Sequence, residues 1–295
     1  MDSTSAPAQP LKTLLAATDL SAHADWALER AVHLAGAHGA RLVVLHVYDE
    51  NLPSSVQDQV ASSARQEIET FLGKIGVPDD LDLTVEVKAG RDHRDILEVA
   101  EAIDADLIVM GTHRKEGGLK AFRSTTMERV IRTGTRPVLV VVNRVAGPYA
   151  KALVGVDFSV FSRFAIRGGL MLAPSAEFHL VHAFQVPFEG LQPGLDTRRD
   201  YRVEHERKLS AVIESELLAL MESSGNRAAT DKVFRPHVSH GETQGVLRTE
   251  VARLAPDLLV LGTHGRVGIA HALLGSVAES FLNNPPCDVL LVKAW

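Results

Sequence analysis

Cysteine, aromatic residues and long apolar runs are all scarce in this chain of 295 residues. The single cysteine, Cys287, excludes an internal disulfide framework and fits a reducing compartment. No apolar run reaches the roughly 18 residues that a membrane span requires, and residues 1–10 lack the basic and apolar segments of a secretory signal. We therefore expect a cytoplasmic protein with no membrane association and a disordered N-terminus at residues 1–10.

An excess of positive charge is also absent. The net charge is −6 and aromatic residues make up 5% of the chain, which argues against a general nucleic-acid-binding surface. No lysine-bearing phosphate loop, nucleophile elbow or paired-histidine metalloprotease motif is present, so we predict no catalytic residue. Rapid ATP hydrolysis is not expected, whereas slow hydrolysis stays open.

Histidines are numerous, with 13 in the chain, but they do not predict a metal site. His179 and His182 are three apart within one predicted strand, and so are His237 and His240 in another. Side chains three apart in a strand point to opposite faces, so neither pair is expected to share a metal.

The chain contains an internal duplication. Residues 106–113 read Asp-Leu-Ile-Val-Met-Gly-Thr-His and residues 257–264 read Asp-Leu-Leu-Val-Leu-Gly-Thr-His, an offset of 151 (257 minus 106). Earlier in each half the offset is shorter: it is 138 from Asp19 to Asp157 and 136 from His46 to His182. The second half therefore has extra residues between its second and third strands. Among these, residues 185–200 are rich in proline and glycine and predict a loop, either a lid or a plain surface insertion.

Each half predicts alternating strands and helices, which indicates an α/β fold with a five-stranded parallel sheet and helices on both faces. We assign a first domain to residues 11–143 and a second to residues 149–295. The last strand of each half, Val138–Val142 and Val289–Val292, is the predicted edge through which the halves pair.

A glycine motif follows the fourth strand of the second half. Gly262 and Gly265 are followed, after nine residues, by Gly275 and Ser276, which precede a predicted helix. Glycines leave backbone N–H groups unshielded, and helix N-termini attract anions, so the motif predicts a phosphate-binding loop. The alternative for Ser276 is a capping box with Glu279.

These features together resemble the universal stress protein family, and the duplication resembles its tandem-domain members. The resemblance covers nearly the whole chain and implies a Rossmann-like, adenine-nucleotide α-hydrolase-like fold, pairing of the halves, and binding of ATP with or without Mg²⁺. Transferred by position, it implies that Asp157 faces the adenine. It further implies that a pocket and phosphate contacts are formed by Ala183, Leu261, Gly262, Gly265, Gly275, Ser276 and Val277.

The first half departs from this pattern. Its matching positions are Asp19, Val47, Gly111 and Thr125, but Arg114 replaces the second glycine of the motif and Ser124 replaces the third. Basic residues in this loop could hold an anion by their side chains, or form a solvated surface loop. For Asp19 and Asp157, capping of the following helix is the alternative to ligand contact.

Three functions stay open at this point. The first is a regulatory stress-response protein that binds ATP mainly in its second half. The second is an interaction scaffold that binds no nucleotide, and the third is a slow ATP hydrolase. A homodimer is a further expectation, because an exposed sheet edge can also join two chains.

Overall fold

A computed structural model describes residues 10–112, 125–185, 199–201, 203–204, 206–212, 215, 234–263 and 274–293. The first part of the expected disordered terminus and nearly all of the 185–200 insertion lie outside the described residues.

Strands and helices alternate in both halves, as predicted. The first half contains β1 (Thr13–Ala17), α1 (Ala22–His38), β2 (Arg41–Asp49), α2 (Ser54–Ile75), β3 (Leu83–Gly90), α3 (Asp92–Ala102), β4 (Leu107–Gly111), α4 (Thr126–Thr133) and β5 (Val138–Val141). The second half contains β6 (Lys151–Gly155), α5 (Val160–Leu172), β7 (Glu177–Phe184), β8 (Phe234–His240), α6 (Thr243–Leu254), β9 (Leu258–Gly262), α7 (Ser276–Asn283) and β10 (Asp288–Val292). Residues 206–212, between β7 and β8, are also helical.

All ten strands belong to one sheet, in the order β3-β2-β1-β4-β5-β10-β9-β6-β7-β8. Neighbouring strands within each half are parallel. The two halves meet where β5 and β10 pair antiparallel. The predicted α/β class and the predicted pairing through the last strand of each half are both confirmed. The two five-stranded sheets are continuous with each other.

The β5–β10 seam has the register of a local two-fold axis. Leu139 lies opposite Leu290, and these two residues are counterparts in the repeat (290 minus 139 gives 151). Val138 lies opposite Leu291, and Val140 lies opposite Val289. A two-fold rotation that exchanges the halves converts one of these pairs into the other. Each half therefore presents the same strand to the other.

Apolar layers cover both faces of the sheet and continue across the seam. On one face, side chains of α1 and α5 pack in a single buried cluster with Leu14, Leu139 and Leu258. On the other face, α3, α4, α6 and α7 share a second cluster. Because buried apolar area is the main source of folding free energy, these shared layers join the two halves energetically.

The aspartate of the repeated Asp-Leu-x-Val motif has a structural role. Asp106 Oδ2 accepts hydrogen bonds from the backbone N–H groups of Lys12 (2.7 Å) and Thr13 (2.9 Å). Asp257 Oδ2 makes the same two bonds to residues 150–151, at 2.8 and 2.9 Å. In each half, the carboxylate that precedes the fourth strand thus holds the beginning of the first strand beside it.

Two histidines on neighbouring strands are bonded to each other. His237 Nδ1 lies 3.2 Å from Arg253 Nη2, and because arginine can only donate, this Nδ1 accepts. His237 Nε2 therefore carries the proton and donates to His179 Nδ1 at 2.8 Å. The remaining nitrogen, His179 Nε2, lies 3.6 Å from Glu177 Oε1. The first-half counterparts of His179 and His237 are Val43 (179 minus 136) and Glu86 (237 minus 151), so this histidine pair is specific to the second half.

We predict that this histidine pair makes the stability of the chain sensitive to acid. Burial lowers the pKa of both imidazoles, with Glu177 and Glu250 opposing the shift and Arg235, Arg253 and Lys151 adding to it. Below pH about 6.5 the unfolded chain then binds more protons than the folded chain, so the free energy of unfolding falls as pH drops.

Urea unfolding of the wild type and of a His179→Val, His237→Leu variant, between pH 7.5 and 5.0, tests this prediction. The variant should lose less stability on acidification, by about 1.4 kcal/mol for each unit of pKa difference removed. Equal losses in the two proteins would contradict it.

Candidate functional site

The first half has a cleft at the carboxyl ends of its strands, between β1 and β4, where the strand order reverses. Open α/β sheets bind ligands at such a switch point. The cleft encloses ≈ 660 Å³, which includes space open to solvent. Its lining includes the predicted residues Asp19, Val47 and Gly111.

The walls of this cleft divide into an apolar and a polar set. The apolar wall contains Ala17, Ala24, Leu45, Val47, Ile96, Met110 and Met127. The polar wall contains Thr18, Asp19, Ser21, Asp92, Thr112 and Thr126, with Thr126 Oγ1 donating to Asp92 Oδ2 at 3.2 Å. Such a lining suits a ligand with a flat apolar part and hydrogen-bonding groups at its edge.

Gly111 is required by packing. A Cβ atom at this position would lie 2.5 Å from the backbone oxygen of His23 in α1. The glycine therefore lets the end of β4 approach the first turn of α1, and this close approach forms the back of the cleft.

The turn after the first strand has the same strained backbone in both halves. Leu20 has φ 64° and Phe158 has φ 61°, in the left-handed region that residues other than glycine rarely adopt. Asp19 Oδ1 and Asp157 Oδ1 each accept the N–H of the serine two residues later, both at 3.0 Å. This repeated turn fixes the backbone that carries each aspartate.

The serines, and not the aspartates, cap the helices that follow. Ser21 is the N-cap of α1 and accepts from the N–H of Ala24, while Ser159 is the N-cap of α5 and accepts from the N–H of Ser162. Capping by Asp19 or Asp157 themselves is therefore wrong. A carboxylate two positions earlier acts only indirectly, by holding the capping residue in place.

Asp157 accepts further hydrogen bonds from two serine side chains. Besides the N–H of Ser159, its Oδ1 accepts from the hydroxyl groups of Ser159 and Ser162, at 2.5 Å each. The backbone N–H of Asp157 donates to Ser162 Oγ at 2.8 Å. The counterpart of Ser162 in the first half is Ala24, which has no hydroxyl (162 minus 138).

A histidine supports this turn in each half. His46 Nδ1 donates to the carbonyl of Thr18 (2.9 Å), and His182 Nδ1 donates to the carbonyl of Val156 (2.7 Å). Carbonyl oxygens only accept, so each Nδ1 carries the proton. The sequence indicated these histidines only through their matching positions in the repeat.

The helix after the glycine motif begins without a side-chain cap. Gly275 is the N-cap of α7, and none of the described side chains caps this helix. Gly275 N–H donates to the carbonyl of Thr263 (2.8 Å), which joins the two ends of the loop. Glu279 turns away to pair with Arg132 of the first half at 2.9 Å. The capping-box interpretation of Ser276 is therefore wrong, because Ser276 is the first helical residue and its expected partner is used elsewhere.

The equivalent helix in the first half is capped. Thr125 is the N-cap of α4, its Oγ1 accepts from the N–H of Glu128 (3.1 Å), and Glu128 Oε2 accepts from the N–H of Thr125 (3.3 Å). This capping box satisfies two amide groups and puts a carboxylate at the positive end of the helix. The two halves thus offer an anion different environments.

The remaining predicted residues of the second half lie at the carboxyl ends of three neighbouring strands. Asp157 follows β6, Ala183 is near the end of β7, and Leu261 and Gly262 end β9. These three strands are parallel neighbours in the order β9-β6-β7, so their carboxyl ends meet. Leu261 is buried against Gly155, where an added Cβ would lie 2.9 Å from Leu261 Cδ2. Arg114, Ser124, Gly265, His113 and His264 lie outside the described residues.

Within the described ranges, no group of three or more His, Cys, Asp or Glu side chains could hold a metal ion. Helices in the same ranges are too short or too polar to cross a membrane.

The fold and the first-half cleft define a tandem, doubly wound α/β protein with a candidate ligand crevice at the switch point of its first half. The sequence model described as "Universal stress protein family" matches residues 10–142 and again residues 148–293, so the chain belongs to that family as a tandem member.

Relatives agree with this assignment along the whole chain. Universal stress protein E of Salmonella typhi is 25% identical over 292 residues, covering 90% of this chain and 89% of that protein. Universal stress protein A homolog 1 of Coxiella burnetii is 28% identical over 141 residues, which are 44% of this chain and 95% of that protein. The crystal structure of a universal stress protein from Archaeoglobus fulgidus has a TM-score of 0.65 at 19% identity, covers 95% of this chain and 98% of its own, and shows the same fold.

We predict that the matched substitutions Thr125→Ala and Ser276→Ala differ in their cost. Thr125→Ala removes an N-cap and should lower the free energy of unfolding by about 1 kcal/mol. Ser276→Ala leaves the N-cap unchanged and should change the free energy of unfolding by less than about 0.5 kcal/mol. Urea unfolding measures both, and an equal loss would mean that Ser276 caps α7 after all.

Proposed function

We propose that this protein is a cytoplasmic regulator of the stress response that binds ATP mainly in its second half. The observation that supports this most directly is the N-terminus of α7 at Gly275 and Ser276, which no side chain in the described part of the chain caps. The first N–H groups of a helix lack intrahelical acceptors and carry a partial positive charge, so they bind phosphate when no side chain caps them.

The other second-half residues would complete a nucleotide site at the carboxyl ends of β9, β6 and β7. Asp157, held by its serines, would accept from the adenine amino group, and Ala183, Leu261 and Val277 would contact the nucleoside. Gly262 and Gly265 would allow close backbone approach, and Ser276 would add a hydroxyl donor. Mg²⁺ would then be held by the phosphates more than by the protein.

The first half is the weaker candidate for ATP. Its residues Asp19, Val47 and Gly111 line a cleft that suits a nucleoside, but Glu128 already occupies the N-terminus of α4. A triphosphate there would have to displace that carboxylate or be held by Arg114. We therefore propose binding and regulation, without assigning a catalytic residue.

Nucleotide retained from the cell provides the first test. Freshly purified protein is denatured, and the released small molecules are identified by mass and ultraviolet absorbance. We expect adenine nucleotide at no more than about one per chain, and a rise in melting temperature when ATP is added to the emptied protein. If no nucleotide is released and ATP does not raise the melting temperature, the protein is better described as a scaffold.

A matched pair of variants locates the site. Gly275 has φ −61° and ψ 145°, which any residue can adopt, so aspartate can replace it and cap α7. Gly275→Asp should keep or raise the melting temperature of the unliganded protein. It should also weaken ATP binding at least about tenfold, because a carboxylate then occupies the phosphate position.

Thr125→Asp is the control, since aspartate also serves as an N-cap in the first half and should leave ATP affinity unchanged. Isothermal titration calorimetry measures both variants. If Thr125→Asp lost affinity while Gly275→Asp retained it, the site would belong to the first half.

A further inference from the structure

One corner of the seam between the halves contains a buried ion pair. Arg30 of α1, in the first half, is 5% exposed, and Asp288 of β10, in the second half, is 1% exposed. Arg30 Nε lies 3.5 Å from Asp288 Oδ2. Tyr149, in the segment that connects the halves, donates its hydroxyl to the same Oδ2 at 2.7 Å.

Further polar contacts hold both charged groups, although Arg30 Nε itself has no hydrogen-bond partner among the described residues. Asp288 Oδ1 accepts from the backbone N–H of Val142 (2.9 Å) and of Asn143 (3.3 Å). Arg30 Nη1 donates to the carbonyl of Gly147 at 2.8 Å, and its guanidinium lies 4.2 Å from the centre of the Tyr149 ring. Burial raises the pKa of the Asp288 carboxyl, and the hydrogen bonds from Val142 and Tyr149, together with the charge of Arg30, oppose that shift.

The local two-fold axis relates the Arg30–Asp288 site to a second site at the seam, and the residues at that second site do not form an ion pair. The counterpart of Arg30 is Gly168 (30 plus 138), and the counterpart of Asp288 is Pro137 (288 minus 151). A Cβ at Gly168 would lie 2.9 Å from Val292 Cγ2, so this position has no room for a longer side chain. The first half therefore carries only the cation of this pair, Arg30, and the second half carries only the anion, Asp288.

We propose that the Arg30–Asp288 pair makes the first half associate with the second half in preference to the same half of another copy. Since β5 and β10 present equivalent strands, backbone pairing alone does not distinguish like from unlike halves. If two first halves paired, each Arg30 would face a Pro137 without a counter-ion. If two second halves paired, each Asp288 would face a Gly168. A buried charge without its partner is strongly destabilising, so only unlike halves pair without penalty.

A second ion pair across the seam lacks this selectivity and supplies a control. Arg132 of α4 pairs with Glu279 of α7 at 2.9 Å, and both side chains are partly exposed. The first-half counterpart of Glu279 is Glu128 (279 minus 151). Two first halves would therefore place Arg132 opposite a glutamate just as unlike halves do.

A disulfide reporter distinguishes the two kinds of pairing in the full chain. Leu139 faces Leu290 within the chain, but would face the Leu139 of a second copy if two first halves paired. In a Cys287→Ala background, Leu139→Cys gives each chain one thiol, and only pairing of first halves brings two thiols together at the seam. The protein is unfolded, refolded under mild oxidation, and analysed on a non-reducing gel.

With Arg30 present, we expect little cross-linked dimer. Adding Arg30→Met should raise the cross-linked fraction by on the order of tenfold, because the penalty for pairing first halves is removed. Arg132→Met should leave the fraction unchanged. Circular dichroism confirms folding, and if Arg30→Met alone does not fold, Arg30→Met with Asp288→Leu, which removes both charges, should show the same rise.

The proposal is overturned if a folded variant without Arg30 shows an unchanged cross-linked fraction. It is also overturned if Arg132→Met raises the cross-linked fraction as much as Arg30→Met does.

Discussion

The antiparallel pairing of β5 with β10 is the interaction on which the rest of this structure depends. It turns two five-stranded parallel sheets into one ten-stranded sheet and places the halves about a local two-fold axis. The helical layers continue across this seam, so the last strand of each half is buried within apolar clusters to which both halves contribute. The pairing also removes a sheet edge from each half, which would otherwise be exposed to other chains. The edges left are β3 and β8, at the far ends.

Within this two-fold frame the halves have diverged in their chemistry. The strained turn after the first strand is retained in both, with Leu20 and Phe158 in the same left-handed conformation. At the start of the last helix the halves differ, since Thr125 caps α4 whereas Gly275 leaves α7 without a side-chain cap. Loss of a cap costs stability, which is the kind of local cost that binding sites carry. The described side chains therefore leave the N-terminus of α7 uncapped in the second half, whereas the first half has the better-satisfied helix.

Several features could be predicted from the sequence because they depend on local pattern. Short apolar runs located the last strand of each half to within one residue, since Val138–Val142 and Val289–Val292 were predicted and Val138–Val141 and Asp288–Val292 are observed. The capping of α7 could not be predicted in this way. Ser276 and Glu279 have the spacing of a capping box, but Glu279 pairs with Arg132, which is 147 residues earlier in the chain. The contact between His179 and His237 was missed for a similar reason, because it joins two strands separated by a long insertion.

The sequence by itself determined that the chain is a duplicated α/β protein, that its last strands pair, and which residues follow the carboxyl ends of its strands. These properties are encoded in the period of apolar residues and in the constant offset between repeats, both of which can be read along the chain. Only the tertiary structure decided which helix N-terminus is capped, how Asp157 is held, and where Arg30 and Asp288 meet. Each of those outcomes depends on groups far apart in sequence competing for the same hydrogen bonds and charges, and that competition is settled only once the sheet has brought them together.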